Sequence, residues 1–237
     1  MKTISFVNPL GGSGKSTSVW SLGSGLHQKS YRVLLIDVDE IGMLAYLAGI
    51  GSEEPVFNLY DVLSGNTDIE SAIYSLKPGL DIITGSMELF RADVKLTQLG
   101  REYMLKEQLE RIKSKYDYCI IDTAHAWDIL LTNALTASDS VIIPMPDEEW
   151  ALNVMGYIRN FIDTVIISYN PKLEIRGFLV ISAVYKTTFA STALSQMEKL
   201  AEQIGTKVFR TKIRSMNRAE ELAVCDYRNF VDEFLEQ

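Results

Sequence analysis

The sequence predicts an α/β fold: a doubly wound, mostly parallel sheet flanked by helices. Three observations carry that expectation. Short apolar runs of strand length recur along the chain without polar alternation, as strands covered on both faces require. Between them lie stretches with helical periodicity, so successive strands are joined by right-handed crossovers and run parallel. The first strand-to-helix junction is rich in glycine and ends Gly14-Lys15-Ser16, the place where such sheets bind ligands. With 237 residues and no linker, repeat or low-complexity tract, the chain is expected to form one domain over 1–237.

Residues 4–7 are the first predicted strand. The loop at 7–17 follows, then a helix whose apolar positions Val19, Leu22 and Leu26 share one face. That helix is expected to end near 27–29. Buried strands are predicted at 32–37 and 79–85, with helical patterns at about 87–96 and 98–115. The strand at 118–122 ends on a carboxylate, and a helix follows near 127–137. A strand at 140–144, a helix over 148–168, a strand at 177–182 and a helix over 190–204 continue the alternation. A short strand at 207–209 and two C-terminal helical segments close it.

The glycine-rich junction has the chemistry of a phosphate-binding loop. Gly11, Gly12 and Gly14, with Ser13 among them, let backbone N–H groups turn inward around phosphate oxygens at the positive end of a helix. Lys15 then reaches the β/γ-phosphates, Ser16 offers its hydroxyl to Mg²⁺, and Thr17 continues the first helical turn. The common spacing G-x-x-x-x-G-K-[ST] requires glycine at position 9, where this chain has Pro9.

Three carboxylates stand at predicted strand ends: Asp37 and Asp39 after the second strand, Asp122 after the fourth. Asp122 fits a Walker B aspartate, a hard-oxygen partner of Mg²⁺ acting through water, against the plainer reading of an aspartate that caps a turn.

Composition narrows the classes. Hydrophobic residues make 47% and charged residues 23%, a globular balance without a disorder signature. Net charge is −8, which as a bulk property opposes nucleic acid and anionic membrane. The apolar N-terminal run is broken by the glycine loop, so no signal peptide is expected. No stretch approaches the roughly 20 apolar residues of a membrane span. Cys119 and Cys225 are expected to be buried free thiols in a reduced, cytoplasmic protein, and they do not suggest zinc. His27 is read as solvent-facing; His125, next to Asp122, is read either as an incidental loop histidine or as a sensor of the site or the dimer interface; Trp20, Trp127 and Trp150 are read as filling core or interface space.

Gly11-Gly12-Ser13-Gly14-Lys15-Ser16 resembles the deviant phosphate loop of the ParA/MinD family of P-loop ATPases. The resemblance continues at Asp37-Val38-Asp39 with Gly42, at 58–65, at 80–86, at 116–123, at 133–135, from 140 to 152 and at 208–218. It implies the P-loop NTPase fold, ATP with Mg²⁺ as cofactors, and slow ATP hydrolysis. Asp39 would position the attacking water, Asp37 would support the Mg²⁺–Ser16 side, and Lys15 would act on the phosphates. ATP rather than GTP is favoured by this resemblance, since no guanine-reading Asn-Lys-x-Asp follows a late strand. The family's signature lysine, which crosses the dimer interface, would fall at position 10, here Leu10. Ala124 and His125 replace the usual Pro-Pro after the Walker B strand, and Arg214 stands at a family proline.

Positive charge concentrates late in the chain. Lys186, Lys199, Lys207, Arg210, Lys212, Arg214 and Arg218 face only Glu198 and Glu202 over this stretch. Either this is a solvated face or it is a patch for phosphate backbones, where local charge outweighs net charge. The resemblance favours the patch: Lys186, Lys212, Arg214 and Arg218 would bind non-specific DNA in an ATP-bound homodimer. The residues 227–237 are amphipathic but carry Asp232, Glu233 and Glu236 where a membrane-anchoring helix would need cations, so they are expected to pack on the protein itself.

The functional expectation is an ATP-dependent dimerising switch, associated with the nucleoid, that partitions plasmid or chromosome DNA. A ParB-like or adaptor protein would stimulate its hydrolysis. Two other outcomes remain open: a nucleotide-gated scaffold or filament without turnover, or positioning of a protein cargo such as a carboxysome.

Overall fold

The computed structural model describes residues 1–51, 55–147, 149–182, 188–214 and 216–236; for 149–152, 182, 188–191, 193 and 216–222 only the backbone is described. Eight strands form one sheet. In chain order the elements are β1 (Lys2–Phe6), α1 (Lys15–Gln28), β2 (Val33–Asp37), α2 (Met43–Leu47), α3 (Leu59–Ser64), β3 (Tyr74–Lys77), β4 (Leu80–Ile83), α4 (Ala92–Lys95), α5 (Met104–Ile112), β5 (Tyr118–Asp122), α6 (Ile129–Ala137), β6 (Ser140–Pro146), α7 (Glu149–Ser168), β7 (Glu174–Ser182), α8 (Thr188–Gln203), β8 (Ile213–Arg214) and α9 (Met216–Leu235). The strand order is β3-β4-β2-β5-β1-β6-β7-β8. Every pairing is parallel except β3 with β4. The sheet is mixed, mostly parallel and flanked by helices, as the alternation of strand and helix patterns requires.

The central strands are covered on both faces, which explains their unbroken apolar sequence. All five residues of β2 are buried. Successive side chains alternate between faces. Leu34 and Ile36 join a cluster with residues of α3, α5 and α6, whereas Val33 and Leu35 pack with α1 and α9. A third cluster joins β6 and β7 to α7 and α8. In α9, Tyr227, Phe230, Val231 and Phe234 are buried in the α1 cluster, so the amphipathic C-terminal segment packs on its own chain.

Several expectations are corrected. The residues 207–209 do not form a strand: Val208 makes a single isolated bridge to Phe178, and the edge of β7 is paired instead by β8. The two C-terminal helical segments are one helix, α9. The patterns at 87–96 and 98–115 break into 3-10 turns at Met87–Arg91 and Arg101–Tyr103 plus the helices α4 and α5. The edge strand β3 lacked any sequence signal, because Tyr-Ser-Leu-Lys lies half in solvent. Cys119 is buried, but Cys225 is exposed on α9. His27 is half-buried rather than solvent-facing, and Trp127 is partly exposed, its ring 5.1 Å from that of Phe161. The side chain of Trp150 lies outside the described residues.

Candidate functional site

The centre of the sheet brings three chain segments to one edge. β1 runs beside β5, and β5 beside β2, with Phe6 level with Asp122 and Asp122 level with Asp37. The two aspartates therefore end adjacent parallel strands, where the loop leaving β1 also turns. That loop starts α1 at Gly14, whose φ of 83° lies in the left-handed region. A side chain there would cost about 1–2 kcal/mol through its backbone conformation, while the nearest atom to a Cβ, on Ile181, stands at an ordinary contact distance of 3.4 Å. Asn8 anchors the other arm of the loop: its amide donates to the Pro144 carbonyl (2.6 Å), and its Oδ1 accepts the Leu10 N–H (2.9 Å).

Lys15 opens α1 and is almost wholly buried. Its Nζ donates to the Asn8 carbonyl (2.7 Å) and to Nδ1 of His125 (2.9 Å). Burial pulls the ammonium down to about 8, while Asp122 and Asp39 work in the opposite sense. His125 is therefore part of the site, the second of the two readings that its position beside Asp122 offered. Burial and the neighbouring Lys15 both lower its pKa, which favours the neutral imidazole.

The carboxylates divide into two kinds. Asp37 accepts the Asp39 N–H through Oδ1 (3.0 Å), but its Oδ2 has no hydrogen-bond partner, and neither oxygen of Asp122 has one. Burial, together with the nearness of Asp122, raises Asp37 well above the usual carboxylate range. Burial pushes Asp122 up to about 7, against the pull of the nearby Ser16 hydroxyl and Lys15. Buried carboxylate oxygens without hydrogen bonds are costly, and a hard divalent cation would satisfy them and favour their ionised form. Among the described residues no group of three or more His, Cys, Asp or Glu encloses a metal by itself. Such a pair fits Mg²⁺, which keeps waters and shares one or two carboxylates with substrate phosphates.

Asp39 differs. It sits just beyond β2 with Oδ1 accepting the Ile41 N–H (2.9 Å) and Oδ2 3.9 Å from Nε2 of His125. Its backbone rests against Gly85, where a Cβ would stand 2.1 Å from the Asp39 carbonyl oxygen. Gly85 is thus a site residue, marked in the sequence as the end of the strand at 79–85 and within the family-like stretch 80–86.

Lys15, Ser16, Thr17, Asp39 and His125 line a cavity of about 360 Å³ together with Gly12, Ser13 and Gly14. Ile181, Ile213, Arg214 and Tyr227 also line it. Tyr227 reaches it from α9, with its hydroxyl 2.9 Å from that of Ser18. Tyr227 was read in sequence only as one apolar position of the C-terminal helix.

Of the predicted DNA-binding residues, Arg214 lies on this cavity wall and is clamped by Asp226: its backbone N–H and Nε both donate to Oδ2 (3.0 and 2.7 Å), and an Nη donates to Oδ1 (2.5 Å). That placement differs from the solvent-facing patch expected of it. Lys212 is half-buried, and Arg210 pairs with Glu233 and Glu236. Lys186 and the side chain of Arg218 lie outside the described residues.

A family model described as an AAA domain matches residues 1–175. The chromosome partitioning protein ParA of Caulobacter vibrioides is 33% identical over 212 residues, covering 88% of this chain and 75% of that protein. The sporulation initiation inhibitor protein Soj of Bacillus subtilis is 34% identical over 214 residues, 90% of this chain and 83% of its own. Among solved structures, cobyrinic acid a,c-diamide synthase from Mycobacterium smegmatis with bound ADP and magnesium shares the fold at a TM-score of 0.89 and 28% identity, over 99% of this chain and 94% of that one. Among the described residues no helix is long and apolar enough to cross a membrane. The chain belongs to the ParA/Soj-like partition ATPases, within the ParA/MinD-type P-loop ATPases.

Proposed function

We propose that this chain is an ATP-dependent switch that binds Mg²⁺-ATP in the cavity at the start of α1, dimerises in that state, and hydrolyses the nucleotide slowly. The observation that carries the reading is the buried Lys15 at a helix start, with Asp122 and Asp39 acting on its charge and Asp37 ending the strand beside Asp122. Residues 11–17 and Lys15 would hold the phosphates. Ser16, Asp37 and Asp122 would hold the metal, which supplies charge neutralisation when bound. Asp39 has one oxygen tied to the Ile41 N–H and the other directed at the cavity side, so it is the carboxylate suited to orient water. Steady-state ATP hydrolysis with Mg²⁺ and DNA tests this: turnover should disappear in Asp39→Ala while nucleotide still binds. Binding without turnover in the wild-type protein under every condition would defeat the enzymatic reading.

The relatives named for chromosome partitioning support DNA as the cargo track, with a ParB-like or adaptor protein as the activator and the nucleoid as the location. Lys186, Lys212 and Arg218 would contact DNA phosphates. Arg214 enters this surface only if its clamp to Asp226 opens. Lys212→Glu with Arg218→Glu should abolish ATP-dependent DNA binding and flatten its salt dependence; unchanged binding refutes the surface.

Leu10 favours a second reading, a scaffold with little or no turnover. Its side chain packs against the apolar cluster of β6 and α7 and supplies no charge where the family's signature lysine would fall. Leu10→Lys should raise hydrolysis if the missing cation is what limits it.

A further inference from the structure

We propose that His125 is a positioning residue that couples Lys15 to Asp39. In the nucleotide-free site it holds the lysine, and when phosphates draw the lysine away it turns to the aspartate. This rests on the nucleotide reading above and adds a residue that the loop motif does not contain.

The hydrogen-bond chemistry fixes the state of the ring. An ammonium has donors and no acceptor, so Nδ1 of His125, 2.9 Å from Lys15 Nζ, accepts. A neutral imidazole that accepts at Nδ1 carries its proton on Nε2. Nε2 is the nitrogen that faces Asp39, 3.9 Å from Oδ2. Lys15 therefore selects the tautomer that presents an N–H to the carboxylate. Asp39 Oδ1 is occupied by the Ile41 N–H, leaving Oδ2 for that donor. At 3.9 Å the contact is too long for a hydrogen bond, so the ring is engaged on the lysine side and slack on the aspartate side.

The same side chains line the cavity. A phosphate oxygen that accepts from Lys15 Nζ competes with Nδ1 for that donor. Losing that bond releases Nδ1 from its Lys15 donor, and the short approach of Nε2 to Asp39 becomes the better contact. Asp39 is then held through both oxygens, by the Ile41 N–H and by the imidazole, which fixes the carboxylate expected to orient water. Occupancy of the phosphate side is thereby transmitted to the water side within one protomer.

The test combines imidazole ¹⁵N NMR with binding and turnover. In the nucleotide-free protein His125 should be the Nε2–H tautomer. Lys15→Met should raise its pKa and Asp39→Asn should lower it; a ring insensitive to both overturns the coupling. Adding a non-hydrolysable ATP analogue with Mg²⁺ should move the ring resonances, and analogue bound without any movement overturns it. Calorimetry on the wild-type protein separates the premises: if no analogue binds, the nucleotide reading fails, and the two nucleotide-free titrations still decide the His125 contacts. His125→Ala should lower turnover by up to about 100-fold, the scale of a misplaced reacting group, while analogue binding persists. His125→Gln, which supplies an acceptor and a donor on one planar group, should lose clearly less turnover than His125→Ala. Equal losses in both variants would mean that the side chain only fills space.

Discussion

Replacing Gly85 with alanine probes the link between the strand edge and the water-orienting carboxylate. The added Cβ would stand 2.1 Å from the Asp39 carbonyl oxygen and 3.2 Å from that of Asp37. An ordinary carbon–oxygen approach is about 3.3 Å or more, so the Asp39 backbone must retreat by about 1 Å. No rotamer change relieves this, because both opposing atoms are backbone. The segment is also pinned, by the Val38 N–H on the Asp122 carbonyl (2.9 Å) and the Asp39 N–H on Asp37 Oδ1 (3.0 Å). Overpacking of this kind costs about 1–3 kcal/mol, and the pinned backbone places it at the upper end. For a chain of this length each kcal/mol lowers Tm by about 2–4 °C, so a fall of about 4–12 °C is expected. A displacement near 1 Å at a catalytic group costs on the order of 100-fold in rate. Nucleotide affinity should change far less, since residues 11–17 belong to a different strand end. Differential scanning fluorimetry and steady-state hydrolysis measure both effects. Gly156→Ala is the matched control: Gly156 lies exposed in α7 with nothing within 4 Å of a Cβ, so alanine should stabilise by about 0.5–1 kcal/mol and leave turnover unchanged. A Gly85→Ala protein with wild-type Tm and wild-type turnover would refute the reasoning.

Other expectations concern charge. Asp122 has a carboxyl raised from 3.8 to about 7, so the folded chain holds this proton more tightly than the unfolded chain does. The stability that the protonated acid contributes is complete below pH 4 and is lost as pH rises through about 7. Asp122→Asn should flatten that part of the pH–Tm profile of the nucleotide-free protein and remove the tightening of nucleotide binding by Mg²⁺. Asp117 shows the opposite sign: hydrogen bonds from Arg32 hold it at about 2. Its contribution is present above about pH 4 and is lost as pH falls through 2, and Arg32→Ala should return the Asp117 titration toward 3.8 by NMR. Because this pair is solvent-exposed, Tm at pH 7 should barely move. Tyr227→Phe removes the hydroxyl paired with Ser18 while keeping the buried ring, so it should cost about 1 kcal/mol in stability, read as denaturant midpoint.

The sequence by itself determined the features whose causes are local. Strands β2 and β5 were legible because burial on both faces demands unbroken apolar runs, and their terminal aspartates mark the end of each run. The phosphate loop was legible because backbone conformation at Gly14 and the helix start at Lys15 follow from adjacent residues. Where burial was partial the signal faded: Tyr74–Lys77 pairs through its backbone at an edge, so its side chains carry no strand pattern. At 207–209 the β-prone Val208 and Phe209 suggested a strand, yet only one bridge forms there.

Tertiary structure alone decided which of these pieces meet. His125, Gly85, Tyr227 and the Arg214–Asp226 clamp lie far from residue 15 in the chain, and their contacts with the site follow only from the fold. They converge because β5 is inserted between β1 and β2, and because α9 returns to pack on α1. That order is settled by the summed packing of three apolar clusters rather than by any motif. The same order puts Asp37 beside Asp122 and withholds hydrogen-bond partners from three of their four oxygens. A strand ending in aspartate is a local fact; two such ends sharing a low-dielectric edge, with their pKa values raised by burial, is a property of the folded sheet.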